Sequence, residues 1–296
     1  MMETKELRSA ILATVAYADL FDFPLTSTEI HRFLIGKAAT LSDVQTLLKQ
    51  LIIDGKLRTQ HGYYMLPERL HLVALREKRT DHANHLWKSA ERYARWLSRI
   101  PFVRMVAVTG SLAVDNPQQD ADIDFLIVTS NDRLWLCRLF VIGVVRWAAR
   151  QGIELCPNYF LSERAIALSE RDIYTGRELV QMRPLFGKQT YCKMVTANAW
   201  VSTLLPNSRT QLQPLVLDQE QFRPKRWLEI ALNSPIGAWL ERWEQRRRMT
   251  QLTAAAAHIP EAEFSPNRCK GHVTAHRAST KHRFESTHPS KIKVAK

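Results

Sequence analysis

The chain has 296 residues, 42 Lys and Arg against 29 Asp and Glu, a formal net charge of +13, and 45% hydrophobic residues including eight Trp. That length accommodates two domains with an ample core, and the hydrophobic content excludes a disordered or fibrous chain. The excess charge attracts polyanions without naming one; residues 260–296 hold eight Lys and Arg against three Glu, so +5 of it is local and +8 belongs to the rest.

Cys137, Cys156, Cys192 and Cys269 are scattered with no CxxC pair, which argues against a disulfide framework and for a reducing compartment. Residues 1–6 are charged, unlike a secretory signal. The most apolar long segment, 134–149, is interrupted by Arg138 and Arg146 and is too short to span a bilayer. These features predict a cytoplasmic protein with no membrane partner.

In chain order, residues 5–18 form a helical stretch with Leu7, Ala10, Ile11, Thr14, Val15 and Ala18 on one face. Thr26 or Ser27 caps a second helix running to about Leu34. Ser42, with Gln45 three residues on, predicts the capping box of a third, which carries Val44, Leu47, Leu48, Leu51 and Ile52. Residues 57–60 and 63–66 flank His61-Gly62 as a small hairpin. Three helices and a hairpin resemble a winged helix over 1–67. The exposed side of its third helix is only modestly charged (Asp43, Gln45, Lys49, Asp54), so a packing or partner-binding role is favoured over DNA reading. Lys56, Arg58 and His61 on the wing keep DNA as the second option.

Residues 68–100 read as a linking helix ending at Pro101; its His71, His82 and His85 are spaced for solvent rather than for a metal. The core is expected over 101–206. An apolar run, Met105-Val106-Ala107-Val108, predicts a buried strand that stops at Thr109-Gly110-Ser111. Ser111 then begins a helix, and Asn116-Pro117-Gln118-Gln119 is a loop. A second strand carries Asp122 and Asp124 to one face and Ile123, Phe125 and Ile127 to the other. Two carboxylates one pleat apart suit a hard divalent cation, which completes its shell with phosphate oxygens. Gly110 permits close approach to the backbone, and Ser111 offers a hydroxyl and an amide at a helix start.

Gly110-Ser111 followed by Asp122-x-Asp124 between hydrophobic strands resembles the polymerase-β-like nucleotidyltransferase superfamily over residues 100–200. The same Asp-x-Asp occurs in glycosyltransferases, but that reading leaves Gly110-Ser111 unexplained. The resemblance implies a small mixed α/β (α+β) core with a helical C-terminal part. It implies Mg²⁺ (or Mn²⁺) on Asp122 and Asp124, an NTP whose phosphates lie at Gly110 and Ser111, and transfer of NMP to an acceptor hydroxyl by in-line displacement. The acceptor is unspecified: a small molecule, a protein side chain or an RNA end. The alternative is a catalytically silent nucleotide-binding or DNA-binding regulator.

The superfamily completes its metal site with a third carboxylate on a following strand. Residues 132–150 predict the crossover helix, and Glu154 in Ile153-Glu154-Leu155 fits the ligand or base; Asn158 competes, depending on whether Pro157 forms a bulge. Asp115 and Asp120 read as loop residues. Helices follow over 164–169, 174–182 (stopped by Pro184) and 187–204, where Lys188 or Lys193 could reach a triphosphate, Lys193 being preferred.

Residues 207–260 read as a helical extension with Trp227, Trp239 and Trp243 as core and Arg246-Arg247-Arg248 as a solvated basic face. Residues 261–296 read as a basic, partly disordered tail, in which Cys269, His272, His276 and His282 form only a weak zinc pattern.

Overall fold

A computed structural model describes residues 2–210, 223–257, 259, 262–271, 280 and 282–284. The chain is a mixed α/β protein. The N-terminal module runs α1 (Met2–Asp19), β1 (Leu25–Thr26), α2 (Ser27–Arg32), α3 (Leu41–Ile53), β2 (Arg58–Gln60) and β3 (Tyr63–Met65), with a sheet ordered β1-β3-β2. This is the element order of a winged helix.

Local chemistry sets its corners. Thr26 and Glu29 form a reciprocal capping box at α2. At α3 the box is Thr40 with Asp43, not Ser42 with Gln45, because Thr40 holds the extended backbone that a cap requires. The hairpin turns on His61 and Gly62 at φ 50 and 80, the pair of positive values that a two-residue primed turn needs.

Helix α4 (Leu72–Ser98) leads into β4 (Val103–Val108), β5 (Ile123–Thr129), α5 (Leu134–Ala149), β6 (Leu155–Ser162), α6 (Ile173–Gln181), β7 (Arg183–Phe186), α7 (Lys188–Ala197) and α8 (Val201–Leu204). Then come α9 (Arg223–Leu232), α10 (Pro235–Ala255), β8 (Glu263–Phe264) and β9 (Arg268–Lys270). The second sheet is ordered β7-β4-β5-β6-β9-β8. Only β5 and β6 pair in parallel, joined over α5; the other pairs are antiparallel.

Strand alternation gives the sheet two buried faces. Val106, Val108, Ile123, Phe125 and Ile127 pack with α4 and α5 residues such as Tyr93, Leu97, Trp135 and Val141. Met105, Ala107, Leu126, Val128 and Leu161 pack on the other face with Met182, Tyr191 and Met194.

Two expectations change here. Residues 183–186, read from sequence as the end of a helix, are strand β7; its place at the sheet edge tolerates Pro184, which has no N–H to donate. Residues 263–270, read as the start of a tail, form a hairpin that adds β9 to β6. Cys269 is buried in the apolar core and His282 is exposed, while His272 and His276 lie outside the described residues. The expected tail over 286–296 also lies outside them.

The N-terminal module is seated on the core through α6. Arg177 is 2% exposed, with its guanidinium carbon 3.9 Å from the ring centre of Phe33 and 5.3 Å from that of Tyr17. Its Nε and Nη1 have no hydrogen-bond partner among the described residues, so the aromatic faces supply its stabilisation. Around it Arg32 donates to the Val180 carbonyl at 2.7 Å, Gly36 N to the Leu204 carbonyl at 2.7 Å, and Asn207 Nδ2 to the His31 carbonyl at 2.9 Å.

With two of its three guanidinium nitrogens unbonded, Arg177 contributes mainly through its packing against Tyr17 and Phe33. Arg177→Ala should therefore cost about 2–4 kcal/mol in urea unfolding through the cavity it opens, whereas Arg177→Met should stay within about 1 kcal/mol of the parent chain. Equal losses in both variants would show that the charge itself holds the seam.

Candidate active site

The site forms where β4 ends and β5 begins. Val108 pairs with Phe125, and Thr109 N donates to the Asp124 carbonyl at 3.0 Å. The chain then turns at Gly110 with φ +65, and a Cβ built there would lie 2.2 Å from Asp124 Oδ2. Glycine is required both by the positive φ and by the carboxylate pressed against it.

Ser111 is half-buried and opens a single 3₁₀ turn, Leu112–Val114, to which its side chain makes no capping bond. The sequence suggested a helix here. Asp115 ends it in the left-handed region at φ 54, held by Trp87 Nε1 at 2.7 Å and Arg183 at 2.6 Å. The loop therefore has no helix dipole with which to attract an anion.

Asp122 and Asp124 stand on one face as expected, and with Cys156 they form a group whose ligand atoms all lie within 4.8 Å of one another. Cys156 is the residue paired with Asp124 across the parallel strands. The next pairing is Leu126 with Tyr159, two steps along β5 against three along β6, so Pro157 does sit in a bulge. The bulge brings Asn158 to the same carboxylate: Asn158 Nδ2 donates to Asp124 Oδ1, and the Cys156 thiol donates to Asn158 Oδ1 at 3.1 Å.

Glu154 does not join this group. With Asp124 opposite Cys156 and Ile123 opposite Leu155, Glu154 falls two pairs out, ahead of β6 and level with Asp122, where its side chain is exposed and its carbonyl accepts from Ile123 N at 2.9 Å. Lys193 and Lys188 are exposed on α7, whose buried side chains Tyr191 and Met194 pack under the sheet. Asp120 is exposed in the loop.

A residue the sequence did not single out is Glu178 on α6. Burial holds the proton affinity of its carboxyl above the usual range, opposed in part by the Gly110 N–H nearby. Helical spacing gave no hint of it, since Glu178 lies one, two and five residues from the buried Arg177, Gly176 and Ile173 and so off their face.

The electrostatics are those of crowded acids. Burial, then the negative charges of Asp122 and Glu178, push Asp124 up to about 8, with the neighbouring Cys156 thiol opposing the shift. The Cys156 thiol is raised by burial and by both aspartates, so it stays protonated. Every charged group bearing on Asp124 is another carboxylate, so a cation would relieve the repulsion. Two aspartates with a protonated thiol and an amide favour a hard, oxygen-seeking ion over a thiolate-bound one.

Comparison of the chain with protein-family models, with curated proteins and with solved structures finds no match.

The raised Asp124 has a stability consequence. Between pH 3.8, where the unfolded carboxyl loses its proton, and about 8, the folded chain holds one proton more than the unfolded chain. Stability contributed by this group therefore falls as pH rises through that window. In metal-free buffer Asp124→Asn should remove that component of the slope and melt higher than the parent above pH 8. Parallel melting profiles for the two chains would contradict it.

Proposed function

We propose that the chain transfers a nucleotidyl group from an NTP to an acceptor hydroxyl. The observation that carries the reading is the meeting of Asp122 and Asp124, on one strand end, with the Gly110-Ser111 turn on its neighbour, where the missing Cβ at 110 lets backbone and carboxylate touch. Asp122 and Asp124 are the residues that would hold Mg²⁺, and the ion would supply charge stabilisation of the transferring phosphoryl oxygens.

The chain's own residues then have separable tasks. Ser111 presents its hydroxyl at the turn for phosphate. Glu178 places a buried carboxyl near the Gly110 N–H. Asn158 orients the Asp124 carboxylate by donating to it. Trp87 and Arg183 hold Asp115 and so the return of the loop.

One observation favours a second reading, nucleotide binding without transfer. The strand position beside Asp124 is filled by Cys156 and Asn158, and neither a protonated thiol nor an amide accepts a proton from a hydroxyl. Binding and turnover separate the two readings. With each of the four NTPs, an Mg²⁺-dependent stabilisation is expected, about 2.7 kcal/mol at a hundredfold excess over Kd, and lost in Asp122→Asn and Asp124→Asn. Pyrophosphate release above the Asp124→Asn background supports transfer; stabilisation without release supports the silent site. No stabilisation by any NTP in the parent chain defeats both.

A further inference from the structure

Helices α9 and α10 form a hairpin docked at the end of the sheet opposite the carboxylates. Glu229 accepts from Phe102 N at 2.6 Å and from Arg104 Nη1 at 2.8 Å, at the start of β4. Glu241 accepts from Trp135 N at 3.0 Å and Leu136 N at 2.7 Å, at the start of α5. Glu244 is buried under Arg247 and Arg248, at 2.5 and 3.3 Å. These are all the acids of residues 223–255, and each is turned inward.

The outer surface that remains is apolar and cationic. Trp227 is 72%, Ile230 57%, Ile236 70%, Trp239 56% and Trp243 45% exposed. Ile236, Trp239 and Trp243 follow one stripe of α10, with exposed Arg242 and Arg246 beside them and Arg226 next to Trp227. The sequence placed these tryptophans in the core; the structure turns them out, because the three glutamates take the inward positions.

We infer that this hairpin face binds the surface of an anionic lipid bilayer, with Trp227, Ile236, Trp239 and Trp243 entering the headgroup layer and Arg226, Arg242 and Arg246 meeting lipid phosphates. Indole rings favour that boundary, and arginines on an otherwise apolar stripe supply the attraction to anionic lipid. The contact is superficial: no helix among the described residues is long and apolar enough to cross a membrane. A second copy of the chain fits less well, since the cationic face would meet its own charge. Nucleic acid stacks on rings but leaves Ile230 and Ile236 wet. This reading replaces the expectation of no membrane partner and is independent of the nucleotidyl-transfer proposal.

The test is co-sedimentation of the full chain with phosphatidylcholine vesicles, with and without phosphatidylserine, at low and high salt. The parent should bind only the anionic vesicles. Trp239→Ser/Trp243→Ser, which keeps every charge, should bind them about tenfold or more weakly while melting at the parent temperature. Retained binding in that variant would assign the attraction to charge alone, including the basic residues of 260–296, and overturn the proposal. So would Trp substitutions that abolish a dimer in velocity sedimentation or binding to single-stranded DNA while leaving vesicle binding unchanged.

Discussion

The Asp124 carboxylate lies against a backbone with no side chain at position 110, in a half-buried corner where the negative charges of Asp122 and Glu178 add to the effect of burial. Leaving that group ionised without a counter-charge opposes folding, since burial and neighbouring carboxylates both disfavour the charged form. The surrounding structure is arranged to tolerate it: Asn158 donates to one oxygen, the in-register Cys156 thiol donates to Asn158, and the break in strand register at Pro157 lets Asn158 reach. A site that carries such a cost without stabilising the fold is what a cation-dependent function would require.

Helix α6 joins this corner to the N-terminal module. Neighbouring residues on it face different ways: Arg177 is clasped by Tyr17 and Phe33 of the module, while Glu178 lies near the Gly110 N–H beneath the loop. The loop is held from the other side too, where Asn116 donates to the Phe21 carbonyl and accepts from Arg79. The module thus contributes to the placement of Gly110 and Ser111. Its third helix, with Asp43, Gln45, Thr46, Lys49 and Gln50 outward, carries little positive charge for a duplex.

What was legible in the sequence was local or periodic. The Thr26 cap, the His61-Gly62 turn, the two-faced β5 and the need for glycine at 110 each follow from a few adjacent residues. What was not legible depended on contacts distant in sequence. Glu178 comes near Gly110 only because α6 folds over the loop, and Glu154, although strand pairing sets it level with Asp122, stands exposed outside the group of Asp122, Asp124 and Cys156. Pro184 read as a helix stop but occupies an edge strand, and Trp239 and Trp243 read as core because their spacing does not reveal that Glu241 and Glu244 claim the inner side. The Ser111 helix failed because Asp115 turns left-handed after one turn, clamped by Trp87 and Arg183.

The most direct measurement is a crystal structure with Mn²⁺ and a non-hydrolysable NTP, with the ion located by its anomalous signal. A nucleotidyl-transfer or nucleotide-binding site predicts Mn²⁺ between the Asp122 and Asp124 carboxylates and a phosphate against Ser111. Nucleotide bound elsewhere, or Mn²⁺ absent from these aspartates while bound at another group, would contradict it.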